Sequence, residues 1–322
     1  MRWPLILLLL LSGAARAGEI ADATGRTVTV PDHIARVLPA GEPASVILAA
    51  LAPDLTLGFT GPVSPQARAW LGPEAAGSPQ VPRLTGKSDV TEAVRALHPD
   101  LIVDYGNVTP GCIKLASETQ EKLGVPTLLI DGALDQTPRA LRLLGAALHR
   151  EARAETLARL AEAMLALPVP AEHRRAMYLR GAEDWKAVSP GSGAAAVFAR
   201  LGWAVLAPDG GGAFRPVTLA QVAALDPDVL VFGDARMRGI VADSPQWRAL
   251  RAVREGHAFV APALPFGWVE EPPSLNRLLG FAWLGGHDAP ALAAMFGAVV
   301  YGHPASPAEL AAIAEDVRPL AP

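Results

Sequence analysis

The chain has 322 residues, 51% of them hydrophobic, and a formal net charge of −4 from 28 basic against 32 acidic side chains. No basic stripe is present, which argues against nucleic acid as a partner. The single cysteine, Cys112, excludes an intrachain disulfide, so the fold has to rest on apolar burial.

The first residues read as an export signal. Met1-Arg2 is followed by an apolar run, residues 5–11, and by Ala15-Arg16-Ala17, a small-x-small cleavage pattern. The run is shorter than the roughly 20 residues that span a bilayer. Cleavage after Ala17 is expected to leave residues 18–322, with no cysteine near the cut for a lipid anchor. That length suits two lobes of roughly 100–200 residues each.

Strands are predicted at 28–30 and 37–38. A helix follows at 44–51 behind Gly41-Glu42-Pro43, then a short strand at 56–60. Residues 90–97 read as a helix with Ser88 and Asp89 as cap candidates, 101–105 as a buried strand, 113–123 as a helix and 127–130 as a strand. Such alternation points to parallel βαβ units. Residues 137–167 then read as one long helix. Leu141, Leu144 and Leu148, and later Leu157, Leu160 and Met164, recur at helical spacing, and no proline stands between Pro138 and Pro168. At 1.5 Å per residue such a helix runs roughly 45 Å, longer than one lobe needs, and is read as a connector. Alternation resumes with strands at 176–180, 205–206, 229–232 and 258–260 and helices at 194–201, 219–224, 274–284 and 307–317.

One internal echo supports two related lobes. Residues 90–103 and 218–231 each run helix, Pro-Asp, buried strand, with Pro99-Asp100 answering Pro227-Asp228. A period that long indicates a duplicated lobe, not a solenoid.

Four stretches carry a resemblance to a known family. They are Asp22-Ala23-Thr24-Gly25-Arg26 leading to Val28 and Pro31; the two helix–Pro-Asp–strand units; the run from Trp247 to Val260; and Pro265-Phe266-Gly267-Trp268 continuing to Pro272-Pro273-Ser274-Leu275-Asn276-Arg277. Together they resemble the periplasmic substrate-binding proteins of iron-siderophore, haem and cobalamin ABC importers and their molybdate/tungstate-binding relatives. The resemblance covers nearly all of residues 18–322. It implies an α/β fold of two mixed lobes, 18–136 and 168–322, joined by a single long interlobe helix, 137–167, with a ligand cleft between the lobes. It also implies a periplasmic, monomeric carrier with no enzymatic activity. Such a carrier has no cofactor of its own, and its partners are a small ligand, a permease and its ATPase subunits.

Ligands of α/β sheets bind beyond the carboxyl ends of strands. That rule selects Gly41, Glu42, Tyr105, Gly106, Asn107, Arg180 and Asp234, with Phe266, Gly267 and Trp268 facing them. Gly41 and Glu42 open a helix, whose free N–H groups suit an anion; Tyr105 and Asn107 offer a phenol and an amide. Arg180 is costly to bury unpaired, which favours a cleft-facing cation or a pair with Glu183 or Asp184. Trp268 offers an aromatic face, or else plugs the second lobe's core. Glu270 and Glu271 are expected in solvent, and Arg277 in a structural pair. The seven histidines are scattered and Cys112 has no cysteine partner, so metal ligation by the protein is disfavoured. Ser189-Pro190-Gly191-Ser192-Gly193 fits neither a phosphate loop nor a nucleophile elbow and reads as a loop. Two other readings remain, an exported α/β hydrolase and a ligand sensor for a membrane receptor.

Overall fold

A computed structural model describes residues 18–84 and 89–320. The export signal and the cap candidate Ser88 lie outside the described residues. Among these residues no helix is long and apolar enough to cross a membrane.

Strands β1 (Gly18–Ala21) and β2 (Thr27–Val30) form an antiparallel hairpin. Its turn uses the opening motif. Gly25 holds φ at 81°, and the Asp22 carboxylate accepts from the Thr24 N–H and pairs with Arg26 at 2.6 Å. Strands β3 (Val37–Pro39), β4 (Leu101–Gly106) and β5 (Thr127–Asp131) form a parallel sheet. β6 (Arg175–Arg180) is the centre of a second sheet. On one side it pairs in parallel with β10 (Val229–Phe232), which pairs with β11 (Ala258–Val260). On the other side β6 meets β8 (Ala204–Val205) at its start and β7 (Lys186–Val188) at its end, and β7 continues to β9 (Phe214–Pro216). The predicted strand at 56–60 is no strand. It makes only two isolated bridges, Val37 to Thr56 and Phe59 to Gln80, because Gly58 sits at φ 154° with no room for a Cβ against the Pro79 carbonyl.

The echo in the sequence corresponds to one device built twice. Helix Thr91–Ala96 leads through His98 (φ 43°) into β4, and helix Leu219–Leu225 leads through Asp226 (φ 42°) into β10. Asp100 Oδ2 accepts from the Arg36 N–H at 2.8 Å, and Asp228 Oδ2 from the Arg175 N–H at 2.7 Å. The Arg36 guanidinium reaches back to the carbonyls of Leu97 and His98, as that of Arg175 does to Leu225 and Asp226. Each clasp fixes a helix to the entrance of its neighbouring parallel strand.

The long helix expected at 137–167 is two helices, Thr137–Leu148 and Glu151–Leu165, folded onto each other. The break falls at His149, which is left-handed at φ 53° and donates its N–H to the Gly145 carbonyl. The turn brings Gly145 against Ala154 so closely that a Cβ on residue 145 would lie 2.3 Å from the Ala154 methyl. Leu141, Leu144 and Leu148 thereby bury with Leu157, Ala158 and Ala161 in the main core. A non-glycine left-handed residue costs about 1–2 kcal/mol. Burying even one leucine offsets that, at about 1.5–3 kcal/mol. Helix Glu151–Leu165 is then the spine between the lobes, packing on helix Glu42–Leu51 of the first and helix Arg277–Leu284 of the second. The C-terminal segment also returns to the first lobe, where Arg153 donates to the carbonyls of Ala50, Val299 and Val300.

Candidate functional site

The carboxyl ends of β4, β5 and β6 converge on a cleft of about 290 Å³. β4 supplies Gly106 and Asn107, β5 leads to Gly132, and β6 ends in Arg180. Gly132 packs on Gly106 so tightly that a Cβ would come within 2.8 Å of its Cα, which keeps this wall of bare backbone. Across it stand Ser192 and Gly193, Phe214, and the loop carrying Glu270, Glu271 and Arg277. Glu42, half-buried, and Arg83, exposed, pair at 2.9 Å on the outer wall.

The loop 265–277 is held by hydrogen bonds from Ser274, Asn276 and Arg277. Ser274 Oγ donates to the Pro43 carbonyl of the first lobe at 2.8 Å. Buried Asn276 donates to the Phe266 carbonyl and receives the Tyr301 hydroxyl at 2.6 Å. Arg277 is 1% exposed and donates to three carbonyls: Ser274, Gly193 of the second lobe, and Gly132 of the first. It makes no ion pair with a carboxylate among the described residues, so the expected structural pair is absent. Burial pulls its pKa below the usual guanidinium value. Three N–H bonds leave part of its five-donor fork free, and it lines the cleft.

Glu270 and Glu271 face the cleft, not the solvent expected for them. Arg180 is held by them instead of by Glu183 or Asp184. Its Nε lies 2.7 Å from Glu271 Oε1, its Nη1 3.7 Å from Glu270 Oε1, and its plane lies over Phe214 at 5.2 Å. Burial lowers the Arg180 pKa, but the two carboxylates carry it above the ordinary value. Glu270 is 6% exposed, and burial outweighs Arg180 in pushing its carboxyl up to about 7. Four buried side-chain polar atoms lack a partner among the described residues: Tyr105 Oη, Ser192 Oγ, Arg215 Nε and Glu270 Oε2. Two of the four belong to residues of this one cleft. Buried polar groups are nearly always satisfied, so such atoms need an explanation.

A second chamber of about 380 Å³ adjoins the first and shares Glu42, Arg180, Glu271 and Pro272 with it. Its walls include Phe59, Val63, Pro265 and Phe266. Glu42, Gly106, Asn107, Arg180 and Phe266 of the selected residues thus face the two chambers. The others do not. Gly41 is the helix cap, extended at φ −151°. Tyr105 is 1% exposed in the first lobe's core, beside Arg277. Asp234 turns away to cap and pair with Arg236 at 2.7 Å. Gly267 closes a turn whose Glu270 carbonyl would lie 1.7 Å from a Cβ. Trp268 is fully buried, donating to the Leu264 carbonyl and packed edge-on to Trp283. The residues missed include Ser192, Gly193, Glu270, Glu271 and Arg277. Glu270 and Arg277 stood inside the most specific motif. Nothing local distinguished Ser192 and Gly193 from an ordinary loop.

The family described as "Periplasmic binding protein" matches residues 47–264. Among curated proteins none matches the sequence. Three solved structures show the breadth of the likeness. An ABC transporter solute binding protein from Sulfurospirillum deleyianum superposes with a TM-score of 0.82 at 20% identity, over 92% of this chain and 99% of that one. MolA of Haemophilus influenzae, bound to molybdate, gives 0.67 at 19% identity, over 90% and 99%. The vitamin B12 binding protein BtuF of Vibrio cholerae gives 0.59 at 19% identity, over 78% and 95%. At such identities the likeness establishes the two-lobed α/β fold.

Proposed function

The chain belongs to the periplasmic binding protein family, and from that premise we propose that it is an exported, monomeric solute-binding protein of an ABC importer that holds a small anionic ligand between its lobes. The observation that carries the ligand class is Arg277, a buried cation at the cleft that makes no ion pair with a carboxylate among the described residues. Leaving a charge so placed is costly unless an opposite charge completes it. The Ser192 hydroxyl and the Asn107 amide supply further donors around it. A tetrahedral metal oxyanion such as molybdate or tungstate fits this chemistry, and the molybdate-bound relative supports it. The adjoining apolar chamber suits the organic part of an anionic ferric chelate. A transported metal would thus arrive inside its ligand. No group of three His, Cys, Asp or Glu side chains able to hold a metal ion occurs among the described residues. The partners would be the importer's permease and ATPase subunits, and no chemical step is assigned to the cleft.

The test is a thermal-shift screen of residues 18–322, freed of co-purified ligand, against molybdate, tungstate, ferric citrate, haem and cyanocobalamin. A ligand bound only by the folded state stabilises it by about 2.7 kcal/mol at a hundredfold excess over Kd. The expected result is a shift with an oxyanion or the anionic chelate that Arg277→Gln abolishes. A shift with cyanocobalamin alone, or none with any ligand, would refute the anionic assignment.

A further inference from the structure

Glu270 has an arrangement that a structural role does not explain. Its carboxyl is nine-tenths buried and lines the cleft, Oε1 stands 3.7 Å from Arg180, beyond hydrogen-bond reach, and Oε2 has no partner among the described residues. The neighbouring Glu271 takes the Arg180 guanidinium at 2.7 Å instead. The charged and titratable groups facing Glu270 are Arg180 and Tyr178 of β6, Glu271 beside it, and Glu42 across the cleft. Two of these four are carboxylates, and they oppose a further negative charge.

We propose that Glu270 is a specificity-determining ligand contact: its carboxyl enters the complex protonated, donates to an oxygen of the bound anion, and couples binding to the uptake of one proton from solvent. This rests on the reading of the cleft as an anion site. The chemistry is that of donor counting. A fully ionised oxyanion has acceptors only, and an ionised carboxylate has acceptors only, so the two repel. A protonated carboxyl supplies the O–H that such an anion needs. The bound anion in turn stabilises the protonated form. Affinity for a fully ionised oxyanion therefore falls as pH rises through the range where free Glu270 loses its proton, about 7. The slope approaches tenfold per pH unit until the complex itself deprotonates.

The probe is tungstate, titrated calorimetrically from pH 6 to pH 8.5 in two buffers of different ionisation enthalpy, against wild type and Glu270→Gln. Glutamine keeps a donor at the site and removes the titration. The expected result is a wild-type affinity that falls about fivefold from pH 7 to pH 8, with proton uptake rising from about half a proton toward one. Glu270→Gln then binds within about threefold of wild type at pH 6 and stays level to pH 8.5, with no proton uptake at Glu270. Tungstate binding to wild type that is level with pH, or that tightens as pH rises, would overturn the role of Glu270 and leave the anion site standing. No tungstate binding at any pH would overturn both.

Discussion

Trp268 and Glu270 exchange the roles their residue types suggest. The indole is completely buried and hydrogen-bonded to the Leu264 carbonyl, so it anchors the loop that presents Phe266. Trp268→Ala is expected to cost about 3–5 kcal/mol of stability, read as a lower denaturant midpoint. Glu270 gives the opposite signature. Its folded pKa lies above its ordinary 4.5, at about 7, so the folded state binds more protons than the unfolded one between these values. Its contribution to stability is full below pH 4.5 and is lost as pH rises through 7. The loss amounts to roughly 3 kcal/mol at 1.36 kcal/mol per pH unit. Urea melts of the ligand-free protein should show Glu270→Gln more stable than wild type at pH 8, with the difference closing toward pH 5. An equal difference at both pH values would contradict the raised pKa. Glu42, Gly106, Asn107 and Arg180, selected by the strand-end rule, line the cleft, because that rule depends on chain order alone. Sequence reasoning misjudged Glu270, Arg277 and Trp268 because burial on a loop depends on which distant segments cover it. Here the covering comes from Pro43, Gly132 and Tyr301.

At the scale of elements, the parallel strands were legible from short apolar runs bounded by Pro-Asp and glycine. The helix hairpin was not. Helical periodicity continues through Leu148-His149-Arg150-Glu151 with no glycine or proline to mark the turn, and only packing between the two halves selects the break. Gly145 tests that explanation. In an isolated helix Gly145→Ala would stabilise by about 1 kcal/mol through propensity. Here the added methyl meets Ala154, and the expected outcome is a net destabilisation of about 1–3 kcal/mol from overpacking, measured by thermal or urea unfolding. A stabilised Gly145→Ala would mean that the two helices are not in contact. His149→Gly should act in the other direction, raising the melting temperature slightly by relieving the left-handed residue.

At the scale of the whole molecule, the two lobes are neither independent nor joined by one rod. Helix Glu151–Leu165 backs both of them. Ser274 ties the 265–277 loop to Pro43, and Arg277 ties Gly132 to Gly193 at the cleft itself. On such a frame the proposed ligand would meet walls that already stand in place. The guanidinium that bridges the lobes makes no ion pair among the described residues, so the proposed anion site and this bridge coincide. The most direct test is a crystal of the protein soaked in tungstate, with the anomalous scattering of tungsten locating the ion. The expected peak lies between the lobes, within hydrogen-bond distance of Arg277 and beside Ser192 and Glu270. It should vanish in Arg277→Gln crystals of the same form. A peak elsewhere on the molecule, or an empty cleft in wild-type crystals, would contradict the central claim.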